Sequence, residues 1–366
     1  MFLLKLIGRN GFKNLKNSYF SNVKSKLYNM VKLTTNYMGL ELQSPIVAGA
    51  SNMTENPEAA KKMEKAGAGA IVFKSLFEEQ IQLEAYEHDE SLTQDDERHA
   101  EMTDIFPRIE HAGPQDHLQK LKDIRKAVSI PLIASLNCVN HDTWIDYAKK
   151  LEETGIDALE LNFYYTPTEF DKTAKEVEDE QIKVLKDVIK AVKIPVSVKL
   201  SSNYSNPLNY IKQLDDAGAK GVIIFNKLFQ SDINIDSLQL QHPYYLTPEG
   251  EYKDTMRFVA LLHGNVNTSI IANKSIYHGK EAVKMLLAGA DAIQVVSALY
   301  KFQIDHIRTL NNKIHSWMSQ KGFKSLDEFK GKMSRKKLSD PFAYRRSQYV
   351  DILLNSKQLF DKKFLP

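Results

Sequence analysis

The chain of 366 residues contains a single cysteine, which excludes a disulfide scaffold or an all-cysteine zinc site and is typical of a reducing compartment such as the cytoplasm. It contains only 16 glycines and 12 prolines, too few for a collagen-like or low-complexity chain. No apolar run approaches the roughly 20 residues that a membrane-spanning helix needs. With 43% hydrophobic residues the chain can bury the core of one large domain or of two ordinary ones.

The formal net charge is only +3, and it is unevenly distributed. Residues 1–30 contain six basic residues and no acidic ones, which leaves 43 basic against 46 acidic residues in the rest of the chain. A mildly acidic body lacks a general basic surface, so we expect no nucleic-acid partner. We interpret residues 1–30 as a basic extension that is disordered or an artefact of start-site choice. A membrane-surface helix and a targeting peptide are the alternatives.

Eight short apolar runs, each followed by a segment of helical period, recur along the chain. They occupy residues 45–50, 70–74, 131–136, 158–162, 195–200, 221–225, 269–272 and 292–296. Nearly continuous apolar runs of this length are typical of parallel strands that are covered on both faces. Eight strands that alternate with helices predict an α/β fold, a (β/α)8 TIM barrel, with a doubly wound sheet as the alternative.

Four of these runs follow a glycine at the expected end of a helix, at Gly67, Gly155, Gly218 and Gly289. Glycine supplies the left-handed conformation that ends many helices, so the pattern indicates a repeated helix–turn–strand unit. Long insertions follow the second and sixth strands, where we expect lids or substrate walls. We expect the barrel to span residues 31–310 and a C-terminal helical segment, 311–366, to pack on it.

Polar residues follow the predicted strands at the end where barrel enzymes place their active sites. Three lysines stand there (Lys74, Lys199 and Lys274), with serines and amides but without a histidine cluster or a carboxylate pair. We therefore expect no metal site and no hydrolysis by paired carboxylates. Lysines and amides suit a planar, electron-rich, anionic cofactor or substrate. An interior ion pair of Lys199 with Glu160 and a Schiff-base lysine of a lyase are the alternatives.

Eight phrases, all in the same order, make the chain resemble the class 1 dihydroorotate dehydrogenases, most closely a branch of dihydroorotate dehydrogenase-like proteins. The phrases are SPIVAGAS (44–51), FKS (73–75), IASLN (133–137), ALELNFYY (158–165), VKL (198–200), FNK (225–227), LLAGADAIQV (286–295) and SAL (297–299). The similarity runs from about residue 33 to residue 352. Each phrase is short, and their shared order makes the resemblance specific.

The resemblance implies an FMN-dependent oxidoreductase of pyrimidine biosynthesis that oxidises a CH–CH bond of a dihydropyrimidine or a related small molecule. It also implies a cytoplasmic protein, with a homodimer as an expectation. The residues implied to bind FMN are Ala50, Ser51, Lys74, Ser75, Asn137, Asn162, Lys199, Asn273, Lys274, Ser275 and Ser297. Lys74, Asn162 and Asn226 are implied to bind the substrate. Lys199 is implied to lie near the N1/O2 edge of the flavin, where a cation tunes the cofactor.

The sequence departs from the family pattern at three places. Tyr165 stands where the family has a Cys or Ser base, and a phenol with a pKa of about 10 is a poor base unless a cation lowers that pKa. Packing of Tyr165 within its loop is the alternative, and Cys138, which follows a different strand, is expected to be a small buried residue. Residues 273–275 (NKS) replace a glycine pair at the flavin phosphate. The loop that binds a carboxylated substrate in the close relatives is shortened in this chain to FNKLF (225–229).

Three hypotheses about function follow. The first is an FMN-dependent oxidoreductase with an altered substrate. The second is a catalytically degenerate barrel that acts as a binding or regulatory protein, because the usual base and glycines are missing. The third is a lysine-dependent lyase, since such barrels also place a lysine at a strand end.

Overall fold

The computed structural model describes residues 31–82, 113–166, 168–340 and 342–354. The basic extension expected at residues 1–30 and most of the first insertion, residues 83–112, lie outside the described residues. The strands are β1 (Thr35–Tyr37), β2 (Leu40–Leu42), β3 (Ile46–Ala48), β4 (Ala70–Phe77), β5 (Leu132–Asn137), β6 (Ala158–Phe163), β7 (Val196–Leu200), β8 (Gly221–Ile224), β9 (Asp232–Asn234), β10 (Gln239–Gln241), β11 (Ser269–Ala272) and β12 (Ala292–Val295).

The α-helices lie between and after these strands. They are α1 (Pro57–Lys65), α2 (Pro114–Ala127), α3 (His141–Glu152), α4 (Ala174–Ala191), α5 (Pro207–Asp216), α6 (Tyr252–Leu262), α7 (Gly279–Ala288), α8 (Ser297–Phe302), α9 (His306–Lys321) and α10 (Ser347–Leu354). None of the helices in the described part of the chain has the length and apolarity needed to cross a bilayer.

Eight parallel strands close into a barrel in the order β3, β4, β5, β6, β7, β8, β11 and β12, and β12 pairs with β3. Each of these strands coincides with one of the eight predicted runs, so the (β/α)8 barrel is confirmed and the doubly wound sheet is wrong. The strands could be predicted from the sequence because both of their faces are buried, and their residues are therefore almost all apolar. The antiparallel hairpins β1–β2 and β9–β10 were not predicted.

The repeated glycines have the predicted role at helix ends. Gly67, Gly155, Gly218 and Gly289 all have positive φ, between 84° and 120°. A residue with a Cβ is strained in this conformation, so glycine lets each helix end and the chain enter the next strand directly. Three helices, α1, α2 and α5, begin with proline, whose missing N–H is not needed in the first turn.

The barrel interior changes from apolar to polar along its axis. At the amino end of the strands, Tyr37, Met38 and Leu42 of the β1–β2 hairpin pack against interior side chains such as Val72 and Ile133. This hairpin closes the bottom of the barrel with an apolar plug. Nearer the carboxyl ends the interior positions carry buried polar side chains: Glu160, Asn162, Lys199 and Gln294. The polar layer lies directly beneath the end where barrel enzymes carry their active sites.

Helix α9 packs against α7 and β3 and covers one side of the barrel. It begins at His306 and ends at Lys321, so the expected boundary between barrel and C-terminal segment at residue 310 falls inside a helix. Its buried face, which includes Ile307, Leu310 and Ile314, belongs to the same apolar core that covers the outside of the barrel strands. The barrel and this first part of the C-terminal segment therefore share one core.

Candidate functional site

A cavity of about 300 Å³ lies at the carboxyl ends of the barrel strands. Ten of the residues selected from the sequence line it: Ala50, Ser51, Lys74, Ser75, Lys199, Asn226, Asn273, Lys274, Ser275 and Ser297. They come from segments that are far apart in sequence. The parallel strands bring them together because all eight strand ends open on the same face.

Three selected residues do not line the cavity. Asn162 lies directly behind it, because its Oδ1 accepts a hydrogen bond of 2.9 Å from Nδ2 of Asn226. Asn137 ends β5. Tyr165 is half-buried in the loop after β6, with Nζ of Lys172 5.8 Å from the centre of its ring. The role of Tyr165 as a base stays a prediction.

Lys199 and Glu160 form a buried ion pair beneath the cavity. Nζ of Lys199 lies 3.5 Å from Oε1 of Glu160, and the two side chains are 7% and 1% exposed. Oε2 of Glu160 accepts a hydrogen bond of 2.8 Å from Nε2 of Gln294. Lys199 reaches the cavity and Glu160 does not, so the ion pair supplies the cavity floor with a cation whose counter-charge is held below it.

Two more cavity lysines also have carboxylate partners. Nζ of Lys74 lies 2.7 Å from Oε1 of Glu55, which follows β3. Nζ of Lys274 lies 3.3 Å from Oε2 of Glu251, in the loop before α6. Pairing holds each long side chain in place at the cavity wall.

Residues Lys274 and Ser275 adopt a backbone conformation that usually requires glycine. Their φ angles are 77° and 58°, in the left-handed region that costs an L-residue roughly 1–2 kcal/mol. These are the positions where the family resemblance expects a glycine pair. The turn after β11 is therefore left-handed at two residues that carry a Cβ, and strain of this kind is often found at binding sites.

Three buried polar atoms on the cavity wall have no hydrogen-bond partner among the described residues. They are Oγ of Ser51, Oγ of Ser275 and Oε1 of Gln294. A buried polar group without a partner costs free energy, and most such groups in folded proteins are satisfied. The three atoms belong to residues that line one cavity, although each atom is itself buried beneath the cavity surface.

An aromatic rim above the polar floor was not identified from the sequence. It consists of Phe229, Tyr244 and Tyr245, from the second insertion, and Tyr300 of α8. Phe229 stacks on Tyr244 with ring centres 5.5 Å apart and planes 30° apart. The insertion was expected to form a wall, but Phe229, Tyr244 and Tyr245 lie outside its alternating segment, residues 231–242, so no period shows that their side chains turn inward.

Cys138 is buried outside this cavity, 8% exposed. Burial is the main cause that raises the pKa of its thiol far above the usual value, and Glu78 adds to the effect. A thiol in this state is a poor nucleophile. The prediction of a small buried residue is confirmed.

The left-handed conformation of Ser275 leads to a prediction about the free energy of unfolding. The free energy of unfolding of Ser275→Gly should be about 0.5–1 kcal/mol higher than that of Ser275→Ala. Both variants lack the hydroxyl, but only alanine keeps a Cβ in the strained conformation. Urea denaturation of the two variants measures the difference. Equal stabilities would show that the turn carries no strain.

Comparison with known proteins agrees with the geometry. The sequence profile of the family described as Dihydroorotate dehydrogenase matches residues 108–318. The catalytic subunit of dihydroorotate dehydrogenase B (NAD(+)) from Thermoplasma volcanium is 26% identical over 313 residues, which cover 82% of this chain and 98% of that protein. The corresponding subunit from Methanocaldococcus jannaschii is 25% identical over 315 residues, covering 82% and 97%.

A relative of another type is dihydroorotate dehydrogenase A (fumarate) from Lactobacillus delbrueckii, 26% identical over 196 residues, which cover 51% of this chain and 62% of that protein. The names of these relatives differ in the electron acceptor but agree in the reaction. The profile spans more than half of the chain, and it includes Lys199 of β7 as well as Asn226 and Asn273, which follow β8 and β11. The chain therefore belongs to the dihydroorotate dehydrogenase family and is an oxidoreductase of that type.

Proposed function

We propose that this protein binds FMN in the cavity and oxidises a CH–CH bond of a dihydropyrimidine or a closely related small molecule. The observation that carries the proposal is the convergence of lysine, serine and asparagine side chains from separate strand ends on one cavity, in a chain that belongs to the dihydroorotate dehydrogenase family. A volume of about 300 Å³ lies at the lower end of the range for small-molecule sites.

The donors around the cavity are suited to the two ends of FMN. Ala50, Ser51, Lys74 and Lys199 would line its ring system, where flavin nitrogens and oxygens need donors. Lys274, Ser275 and Ser297 would hold its phosphate, Lys274 by charge and the two serines by their hydroxyls. Glu251 pairs with Lys274 on one side and leaves the other donors of that ammonium for an anion.

When bound, FMN supplies the acceptor for the hydride that leaves the substrate carbon, at its ring nitrogen N5. Lys199 supplies a cation in a buried site, where its interaction with negative charge is stronger than in water. Glu160 holds the ammonium within 3.5 Å of its carboxylate and so restricts where that cation points. We therefore assign Lys199 to binding the flavin and stabilising its negative charge, and not to proton transfer.

Asn162 and Asn226 are proposed to orient the substrate ring. Nδ2 of Asn226 donates one N–H to Oδ1 of Asn162, which lies behind the cavity and so acts by positioning Asn226. This bond leaves the Oδ1 and the second N–H of Asn226 for a ligand, an acceptor beside a donor that complements the N–H and C=O groups of a cyclic amide. The backbone N–H of Asn226 donates to the carbonyl of Leu200 at 2.6 Å, which fixes the position of this pair.

The resemblance assigns the proton-accepting step to Tyr165, and this assignment remains a proposal. Tyr165 does not line the cavity, so the loop after β6 would have to bring its hydroxyl inward on substrate binding. The lyase hypothesis is less well supported, because the relatives of this chain are named as oxidoreductases. Lys74, Lys199 and Lys274 each lie within 4 Å of a carboxylate oxygen, a contact that the amine would have to leave to form a Schiff base.

The family relationship argues against the degenerate barrel. Assembly into a homodimer and a cytoplasmic location stay predictions.

The colour of the purified protein tests the proposal. We expect a yellow protein that releases FMN on denaturation and whose flavin absorbance bleaches when dihydroorotate or dihydrouracil is added without oxygen. The control is Lys332→Met, a lysine beside Phe323 in the C-terminal segment, which should bleach like the wild type. A colourless protein that takes up no added FMN would contradict the proposal.

A further inference from the structure

The positive charge of this protein is concentrated at the two ends of its chain. Residues 1–30 contain six basic residues and no acidic ones, and residues 330–366 contain ten basic residues and three acidic ones. Residues 31–329 between them contain 33 basic and 43 acidic residues. If the two cationic ends lie together in space, they give one region of the surface an attraction for anions that the rest of the molecule lacks.

The two cationic ends do meet on the surface. The backbone N–H of Lys32 donates a hydrogen bond of 2.8 Å to the carbonyl of Lys324, three residues after the end of α9. The neighbouring residue, Phe323, has the Nζ of Lys332 4.7 Å from the centre of its ring. The point where the basic N-terminal extension joins the described chain therefore adjoins the basic C-terminal segment.

This region lies at the amino end of the barrel strands, opposite the cavity. Nζ of Lys330 lies 2.9 Å from Oδ1 of Asp291, which directly precedes β12. Nζ of Lys336 donates a hydrogen bond of 2.7 Å to the carbonyl of Gly264, in the loop before β11. The cavity opens at the carboxyl ends of the same strands, so a large partner bound here would leave its mouth open to solvent.

Five basic side chains of the C-terminal segment are exposed and form no ion pair with the described residues. They are Lys332, Lys336, Lys337, Arg345 and Arg346. Lys332 lies over the ring of Phe323 and Lys336 binds a backbone carbonyl, and neither contact neutralises the charge. The segment therefore presents a cluster of cations that the protein itself does not compensate.

The same segment exposes large apolar side chains. They are 46% to 72% exposed and include Met333, Phe342, Tyr349, Ile352 and Leu354. None of the described side chains of α10 is buried. The hydroxyl of Tyr344 donates a hydrogen bond of 2.7 Å to the carbonyl of Met333, which holds the stretch before α10 against the cationic cluster. Cations and apolar side chains thus share one surface.

This combination favours the surface of an anionic bilayer over other anionic partners. Nucleic acid is bound mainly by cations on its phosphates and by stacking on aromatic rings, and aliphatic side chains such as Ile352 and Leu354 add little to either. A bilayer surface accommodates both groups, because anionic headgroups attract lysine and arginine and the acyl boundary takes up apolar side chains. The sequence of residues 355–366 continues the pattern with three lysines and with Leu359, Phe360, Phe364 and Leu365.

We propose that residues 332–340 and 342–354, the basic face, bind the surface of an anionic membrane. The five cations lie at the lipid headgroups, and the apolar side chains of α10 lie at the acyl boundary. The attachment is peripheral, because α10 has eight residues and a membrane-spanning helix needs about 20. Neither FMN nor a substrate takes part, so the proposal is independent of the proposed function.

Co-sedimentation of the full-length protein with lipid vesicles tests the basic face. In about 0.15 M salt, wild type should bind vesicles of phosphatidylcholine with about 30% phosphatidylglycerol and should not bind vesicles of phosphatidylcholine alone. Arg345→Gln combined with Arg346→Gln should lower the partition coefficient about 10- to 30-fold, because it removes two cations near the headgroups. Ile352→Ser combined with Leu354→Ser should lower it about tenfold through lost apolar burial.

Each test variant has a matched control. Lys149→Gln combined with Lys150→Gln removes two adjacent, exposed lysines from outer helix α3. Ile235→Ser combined with Leu238→Ser removes two aliphatic side chains that are 78% and 84% exposed in the insertion after β8. Both controls should bind the anionic vesicles like wild type, because neither changes the basic face.

Three outcomes would overturn the proposal. The first is a wild type that stays in the supernatant with both kinds of vesicle. The second is undiminished binding by either test variant, since the proposal requires both the cations and the apolar side chains. The third is release of wild type from the vesicles by a single-stranded oligonucleotide of about 30 nucleotides at the same salt concentration, which would identify the basic face as a nucleic-acid site.

Discussion

Lys199→Met should lower the free energy of unfolding by about 3–5 kcal/mol and abolish FMN binding. The substitution leaves the Glu160 carboxylate buried beneath the cavity, at 1% exposure, and among the described residues only the Gln294 amide then donates to it. An unpaired charge in the interior costs several kcal/mol, much more than the net contribution of the ion pair. The cation that faces the flavin site disappears in the same step.

A double variant separates the two effects. Lys199→Met combined with Glu160→Gln removes the unpaired charge, and the new amide can still accept the hydrogen bond of Gln294, so most of the stability should return. FMN binding should not return, because the cavity still lacks the cation. Urea denaturation gives the stability, and flavin absorbance after gel filtration gives the binding. If the double variant regained FMN, the assigned role of Lys199 would be wrong.

Acidification from pH 6.5 to pH 4 should destabilise the protein through His117 by about 3 kcal/mol. His117 is 6% exposed at the start of α2, with its ring edge against Phe73. Burial is the largest cause that lowers its pKa from 6.5 to about 4; Lys74 and Lys120 lower it further, and Glu55 opposes them. Between these two values the unfolded chain binds a proton that the folded chain does not, so stability falls as the pH falls. Above pH 6.5 the contribution is fully present.

The comparison of His117→Leu with wild type isolates this contribution from other groups that titrate in acid. Urea denaturation at pH 7.5, 6 and 5 should show a smaller loss of stability for His117→Leu than for wild type. His242→Gln, in an exposed loop after β10, should keep the wild-type dependence. Parallel curves for wild type and His117→Leu would show that His117 titrates equally in the folded and unfolded states.

The barrel could be predicted because its strands and helix ends follow local rules. A strand buried on both faces has a continuous apolar sequence, and a glycine after a helix indicates the left-handed turn that ends it. Both signals occur within about ten residues of the chain. The β9–β10 hairpin was not predicted, although residues 231–236 (SDINID) and 237–242 (SLQLQH) alternate polar and apolar residues. Its side chains are exposed on both faces, so the alternation marks no buried face.

Much of the site was also predictable, since a residue that follows a barrel strand necessarily lies at one face. That rule found Lys74, Asn226 and Ser275 without any knowledge of their partners. It did not find Phe229 or Tyr244, because these residues lie in an insertion. Side chains in an insertion are oriented by tertiary contacts and not by the alternation of a strand.

The amino-acid sequence alone determines the architecture, the face that carries the chemistry and the family, because these depend on local periodicity and on the order of short motifs. The tertiary structure alone decides the charge state of the cavity. Glu55, Glu160 and Glu251 lie 19, 39 and 23 positions from the lysines that they contact. The pair of Glu160 with Lys199 was an alternative that the sequence already offered, whereas only the packing of neighbouring strands and loops shows that Glu55 and Glu251 lie within 4 Å of Lys74 and Lys274. Coulomb energies depend on distance in space and on burial, so the pairing of charges around the cavity was settled by folding.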